Sequence, residues 1–142
     1  MNILHTSLLM LTLMFAGNAC ADLALVVNGS SQVDRLSRSE VINIFMGRYR
    51  RMPTGDTALP VELAPLKARF YRDLVNKDVA EINSYWARLV FSGQASPPLE
   101  LESEQALISY VRDNPGALGV LESSAVPPDL RVVMTLPPRQ GL

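Results

Sequence analysis

The sequence predicts an α/β chain, a three-layer-like sandwich in which a central mixed sheet is flanked by helices. Two observations carry this expectation. Short aliphatic runs closed by turn residues alternate along the chain with stretches that repeat apolar residues at helical spacing. The chain also has 142 residues, 48% of them hydrophobic, which is enough for one domain around a single core.

The amino terminus is set apart first. SLLMLTLMFAG, residues 7–17, is an apolar run too short to span a bilayer, and Ala19-Cys20-Ala21 fits the small-x-small pattern of a signal-peptidase site. The expected division is a signal peptide over 1–21 and a single domain over 22–142, exported to the periplasm. Lipidation at Cys20 or a retained anchor is the alternative. No later apolar run is long enough for a membrane helix.

LALVVN, 23–28, reads as a buried strand ended by Asn28-Gly29. A helix follows. Ser37 and Glu40 form a capping box, Leu36 and Val41 occupy the two staple positions, and Val41, Ile44 and Phe45 share one face before Gly47 stops the helix. Pro53 and Gly55 punctuate the loop RYRRMPTGDT. LPVEL, 59–63, is a second strand. Pro65 then suits a first helical turn, and Leu66, Phe70 and Leu74 recur every fourth residue. The longest helix, DVAEINSYWARLVFSG, is capped by Asp78 with Glu81 and closed by Gly93. Its expected apolar stripe is Val79, Ile82, Trp86, Leu89 and Val90. PPLEL, 97–101, is a third strand or an extended link. Ser103 caps the next helix, with Leu107, Tyr110 and Val111 inward and Pro115-Gly116 as its stop. ALGVLE and RVVMTL are the last strands, and the tail PPRQGL is expected to be loose.

Composition narrows function by exclusion. His5 and Cys20 are the only residues of their types, and both fall in the expected leader. The domain then lacks the side chains for Ser-His-Asp or Cys-His catalysis and for common zinc sites. No Ser-x-x-Lys pattern replaces them. The expectation is a protein that is no enzyme and uses no cofactor or metal. With 13 basic and 14 acidic residues the net charge is −1, which gives no reason to expect nucleic acid or an anionic membrane as partner.

The candidate site residues are cationic or small. Arg48, Arg50 and Arg51 crowd one loop, and guanidinium groups fork onto phosphate or carboxylate. Lys67 follows, with Arg69 and Arg72 on the next helix. Ser30 and Ser31, in the turn NGSS, offer hydroxyls and backbone N–H groups to an anion. The competing readings are a basic face paired with acids, complementing a helix end, and a plain turn. Glu100, Glu102 and Glu104 alternate and would gather a hard cation only if extended. A place for Glu104 in a first helical turn, with Glu100 and Glu102 solvated, fits better. Trp86 lies on the apolar stripe, which points to core packing, and Tyr85 lies off it.

Three segments, LSRSEVINIFMGRYRRMPTG, FYRDLVNKDVAEINSYWARLVFSG and DNPGALGVL, together resemble one lobe of the phosphate-binding proteins of ABC importers, which have the type II periplasmic binding-protein fold. The likeness runs from about Leu25 to Leu121. It implies a non-catalytic binding module for phosphate or another small anion. The family's phosphate ligands include a Ser-Gly-Thr run at a helix start. The matching place here reads Glu62-Leu63-Ala64-Pro65-Leu66-Lys67, with no hydroxyl and with a proline that has no N–H. The alternative implied by one lobe alone is an interaction module, pairing with a second copy or an envelope protein through the uncovered face.

Overall fold

The computed structural model describes residues 21–140, so the expected leader, apart from Ala21, lies outside it. Its elements run β1 (Leu23–Asn28), α1 (Arg38–Phe45), β2 (Leu59–Leu63), α2 (Lys67–Val75), α3 (Val79–Phe91), β3 (Leu99–Leu101), α4 (Glu104–Asp113), β4 (Ala117–Glu122) and β5 (Leu130–Leu136). Single 3-10 turns, Ala64–Leu66 and Ser123–Ala125, follow β2 and β4. The sheet has the order β3-β2-β4-β1-β5. β2 runs parallel to both β3 and β4, whereas β1 is antiparallel to β4 and β5, so the sheet is mixed.

Local signals set the helix ends. Ser37 accepts from Glu40 N–H while the Glu40 side chain accepts from Ser37 N–H, and Asp78 with Glu81 repeats the arrangement on α3. Gly47, at φ +76°, turns the chain away after α1. A Cβ at Gly47 would meet Trp86 Cη2 at 2.7 Å, so a small residue also lets α3 approach.

Strand alternation then divides the core into two layers. Leu23, Leu25 and Val27 of β1 join Leu118 and Val120 of β4 beneath α1, α2 and α3. Ala24 and Val26 join Val61, Leu63, Ala117 and Leu121 beneath α4, which contributes Leu107 and Val111. Gly119 lets α4 settle onto the sheet, since a Cβ there would lie 2.8 Å from Leu107 Cδ2. Burial on both faces explains why β1 and β4 read as continuous aliphatic runs rather than alternating ones.

Three expectations change. Val90, assigned to the apolar stripe of α3, is exposed, because the last turn of the helix overhangs a cavity and not the sheet. Glu100 is not simply solvated, because β3 pairs beside β2 and brings it 2.9 Å from Lys67 Nζ. The tail is tied down at Arg139, whose N–H donates to Asp73 Oδ1 at 2.9 Å.

Candidate functional site

The two ends of β2 are separated by roughly 13 Å, at about 3.3 Å per residue, and they carry opposite chemistry. Beyond its amino end lies the arginine loop. Met52 is buried and pins that loop to the core, and Arg51 bridges Thr57 across a narrow antiparallel pair. Gly55 N–H closes the tip on the Met52 carbonyl at 2.9 Å. The arginines therefore stand on an ordered turn. Arg48 donates to Asn43 Oδ1 at 3.3 Å, Arg50 to the Gln94 carbonyl at 2.8 Å, and Arg51 to the Gly55 carbonyl at 2.9 Å. Among the described residues none of the three pairs with a carboxylate.

The Arg50 bond to Gln94 spans the mouth of a cavity of about 460 Å³, set between the arginine loop and the end of α3. Ile44, Ala58, Pro60, Val90 and Trp86 supply apolar wall; Thr57, Gln94 and Ser96 supply polar atoms; Arg50 is the one charged residue of the lining among the described residues. Trp86 is 7% exposed, and its indole N–H is buried with no hydrogen-bond partner. A buried donor without an acceptor costs roughly 1–3 kcal/mol, a cost carried inside the core and not at the cavity surface. Tyr85 holds the neighbouring surface: its hydroxyl donates to the Met46 carbonyl at 2.7 Å, and its ring meets Trp86 edge-on at 5.3 Å.

Beyond the carboxyl end of β2 the cations Lys67 and Arg69 each have a carboxylate within salt-bridge distance, although Arg69 Nε and Nη2 and Asp73 Oδ2 are buried without a hydrogen bond. Glu62 is only 3% exposed, on the sheet face covered by α2. It accepts a short hydrogen bond from the Tyr71 hydroxyl and lies 3.5 Å from Lys67 Nζ. Lys67 reaches on to Glu100, and Arg69 Nη1 contacts Glu122 Oε1 at 3.2 Å. Burial pushes the Glu62 carboxyl up, although the Tyr71 hydrogen bond and the Lys67 charge oppose it. Burial and the adjacent Glu62 drive the Tyr71 phenol far up, so it stays protonated and donates. Burial draws Lys67 down, but its bond to Glu100 and the charge of Glu62 outweigh that, and it is raised overall.

The structure thus distributes the sequence candidates over three places. Arg48, Arg50 and Arg51 form one group. Lys67 lies at the other end of β2 among acids. Ser30 and Ser31 sit in the turn after β1, where Ser30 Oγ donates to Asn28 Oδ1 at 2.7 Å and Ser31 Oγ accepts from Val33 N–H at 3.1 Å. Sequence reasoning did not single out Tyr49, Thr57, Gln94 and Ser96 as parts of one cavity, and it favoured core packing for Trp86. No local pattern marks these residues, since two distant loops bring them together. The buried Glu62 and Tyr71 were missed as a pair because a charged residue in a short strand reads as solvent-facing.

No helix among the described residues is long and apolar enough to cross a membrane. No family model matches the sequence, and no curated relative matches it. Solved structures do match. An ABC-type phosphate transport receptor from Vibrio cholerae superposes with a TM-score of 0.54 at 17% identity, over 80% of this chain and 45% of the receptor. A phosphate ABC transporter substrate-binding protein from Clostridium perfringens, solved with bound phosphate, gives a TM-score of 0.62 at 14% identity, over 80% of this chain and 44% of that protein. This chain spans less than half the length of either. At such identities the likeness speaks for the backbone, and the mixed five-stranded sheet with helices on both faces is the fold of one lobe of these periplasmic binding proteins.

Proposed function

We propose that the chain is an exported, non-catalytic binding module that holds a small anion, phosphate or another, at the arginine loop. The observation that carries the reading is the contrast at the cavity: Arg50 lines a wall with no carboxylate among the described residues, and Arg48 and Arg51, likewise without acid partners, stand beside it on the same loop. The start of α2, by comparison, presents the buried Glu62 with Glu100 close by, and like charge there disfavours an anion. The fold of phosphate receptors supports a holding role.

Thermal unfolding with phosphate, sulfate and simple carboxylates tests this. A ligand present at 100 times its dissociation constant stabilises by about 2.7 kcal/mol. The gain should vanish when Arg48, Arg50 and Arg51 are all replaced by Gln, and a flat response to every millimolar anion would sink the reading. Export is checked separately, by the mass of the protein recovered from cells, which should begin at Asp22 and carry no lipid.

A second reading, an interaction module, draws on one feature. Phe91 is 96% exposed at the end of α3, next to Val90, which lines the cavity. Light scattering of wild type against Phe91→Ser decides its self-pairing form, and a monomer in both cases removes that form.

A further inference from the structure

We infer that the ligand of this cavity is a monocarboxylate carrying an apolar, ring-sized body rather than an inorganic oxyanion. The inference rests on the anion-binding reading above and specifies its chemistry.

Size comes first. A volume of about 460 Å³ lies within the range of small-molecule pockets, roughly 300–1,000 Å³, whereas inorganic phosphate or sulfate would fill a small part of it. The rest would hold water against Ile44, Pro60, Trp86 and Val90, which gains nothing. An apolar body in that space removes Pro60 and Val90 from water and can pack on the small exposed edge of the Trp86 indole.

The donor set points the same way. A multiply charged oxyanion taken out of water needs many donors, and each oxygen left without one is costly. The lining offers one guanidinium, of Arg50, which spends a single bond on the Gln94 carbonyl and keeps its other N–H groups available. A carboxylate has two oxygens in one plane and one negative charge. A guanidinium fork, with the hydroxyls of Thr57 and Ser96 nearby, satisfies such a group; it does not satisfy a dianion with four oxygens.

The chain contains a single tryptophan, Trp86, so its fluorescence reports on this wall directly. The probes are phenylacetate, acetate, inorganic phosphate and the neutral phenylacetamide. Phenylacetate should alter the emission at concentrations at least tenfold below those needed with the other three. Arg50→Gln should weaken it about tenfold, the equivalent of 1.4 kcal/mol. Val90→Asp, which sets a carboxylate on the wall at an exposed position, should abolish it. Both substitutions are at exposed residues, and unchanged thermal unfolding verifies that the variants fold. Equal response to phenylacetamide, or phenylacetate binding unaffected by either substitution, overturns the inference. A response to phosphate or acetate as strong as to phenylacetate also overturns it but leaves the anion-binding reading standing. Silence toward every anion, in fluorescence and in thermal unfolding alike, overturns both.

Discussion

The two ends of β2 are built from similar side chains and do opposite things with them. At the carboxyl end Lys67 and Arg69 are consumed by Glu62, Glu100, Glu122 and Asp73, under the cover of α2. At the amino end Arg48, Arg50 and Arg51 meet only neutral oxygens. The difference teaches that a cluster of cations is informative only together with the acids that reach it. Paired and buried charges knit a fold together; charges left with weak neutral partners beside a cavity remain available to something else.

The comparison can be broken most severely at Trp86, which serves the core and the cavity at once. Trp86→Ala should cost about 3–5 kcal/mol in urea unfolding, the usual penalty for removing a large buried aromatic. A loss below about 1 kcal/mol would show that the indole is cavity wall and little else. At the opposite end, Tyr71→Phe removes the hydroxyl that donates to Glu62 and leaves a buried carboxyl short of a partner. The expected loss is about 1–3 kcal/mol, and an unchanged midpoint would mean that the pair contributes nothing to stability.

The Glu62 carboxyl sharpens the contrast through pH. Its pKa is raised in the folded protein above the ordinary 4.5, so the folded state holds that proton more tightly than the unfolded state does. The associated stability is fully present below pH 4.5 and is lost as pH rises through the folded-state value. Unfolding midpoints measured across this window should therefore fall with pH in wild type relative to Glu62→Gln, which has no such proton to lose. Parallel curves for the two proteins would refute the assignment. The smallest effect belongs to the arginine loop: Arg48→Gln and Arg50→Gln should each change stability by no more than about 0.5 kcal/mol, as exposed substitutions do. A larger loss for Arg50→Gln would mean that its bond to Gln94 holds the loop in place, and that the arginine is structural.

How much of this was legible beforehand depended on range. Both capping boxes were readable because their partners sit three residues apart, and the Gly47 stop was readable for the same reason. The buried faces of β1 and β4 were readable because a strand covered on both sides must be aliphatic throughout. Val90 was misassigned because periodicity gives the direction of a side chain on its helix and not what lies opposite. The stripe continues past the edge of the sheet, and the final turn faces the cavity. Glu62 was obscure for the converse reason, since β2 alternates normally and only the covering α2 turns an outward-looking residue into a buried one.

By itself the sequence determined the α/β class, the ends of the helices and the lack of His and Cys in residues 22–142, because composition, capping and alternation depend on near neighbours or on none. Tertiary structure alone decided which cations found acids and which did not. Lys67 meets Glu100 across 33 positions and Arg50 meets Gln94 across 44. Contacts of that span follow from how β2 and β3 pair and where α3 ends, and hydrophobic burial sets both before any charge is placed.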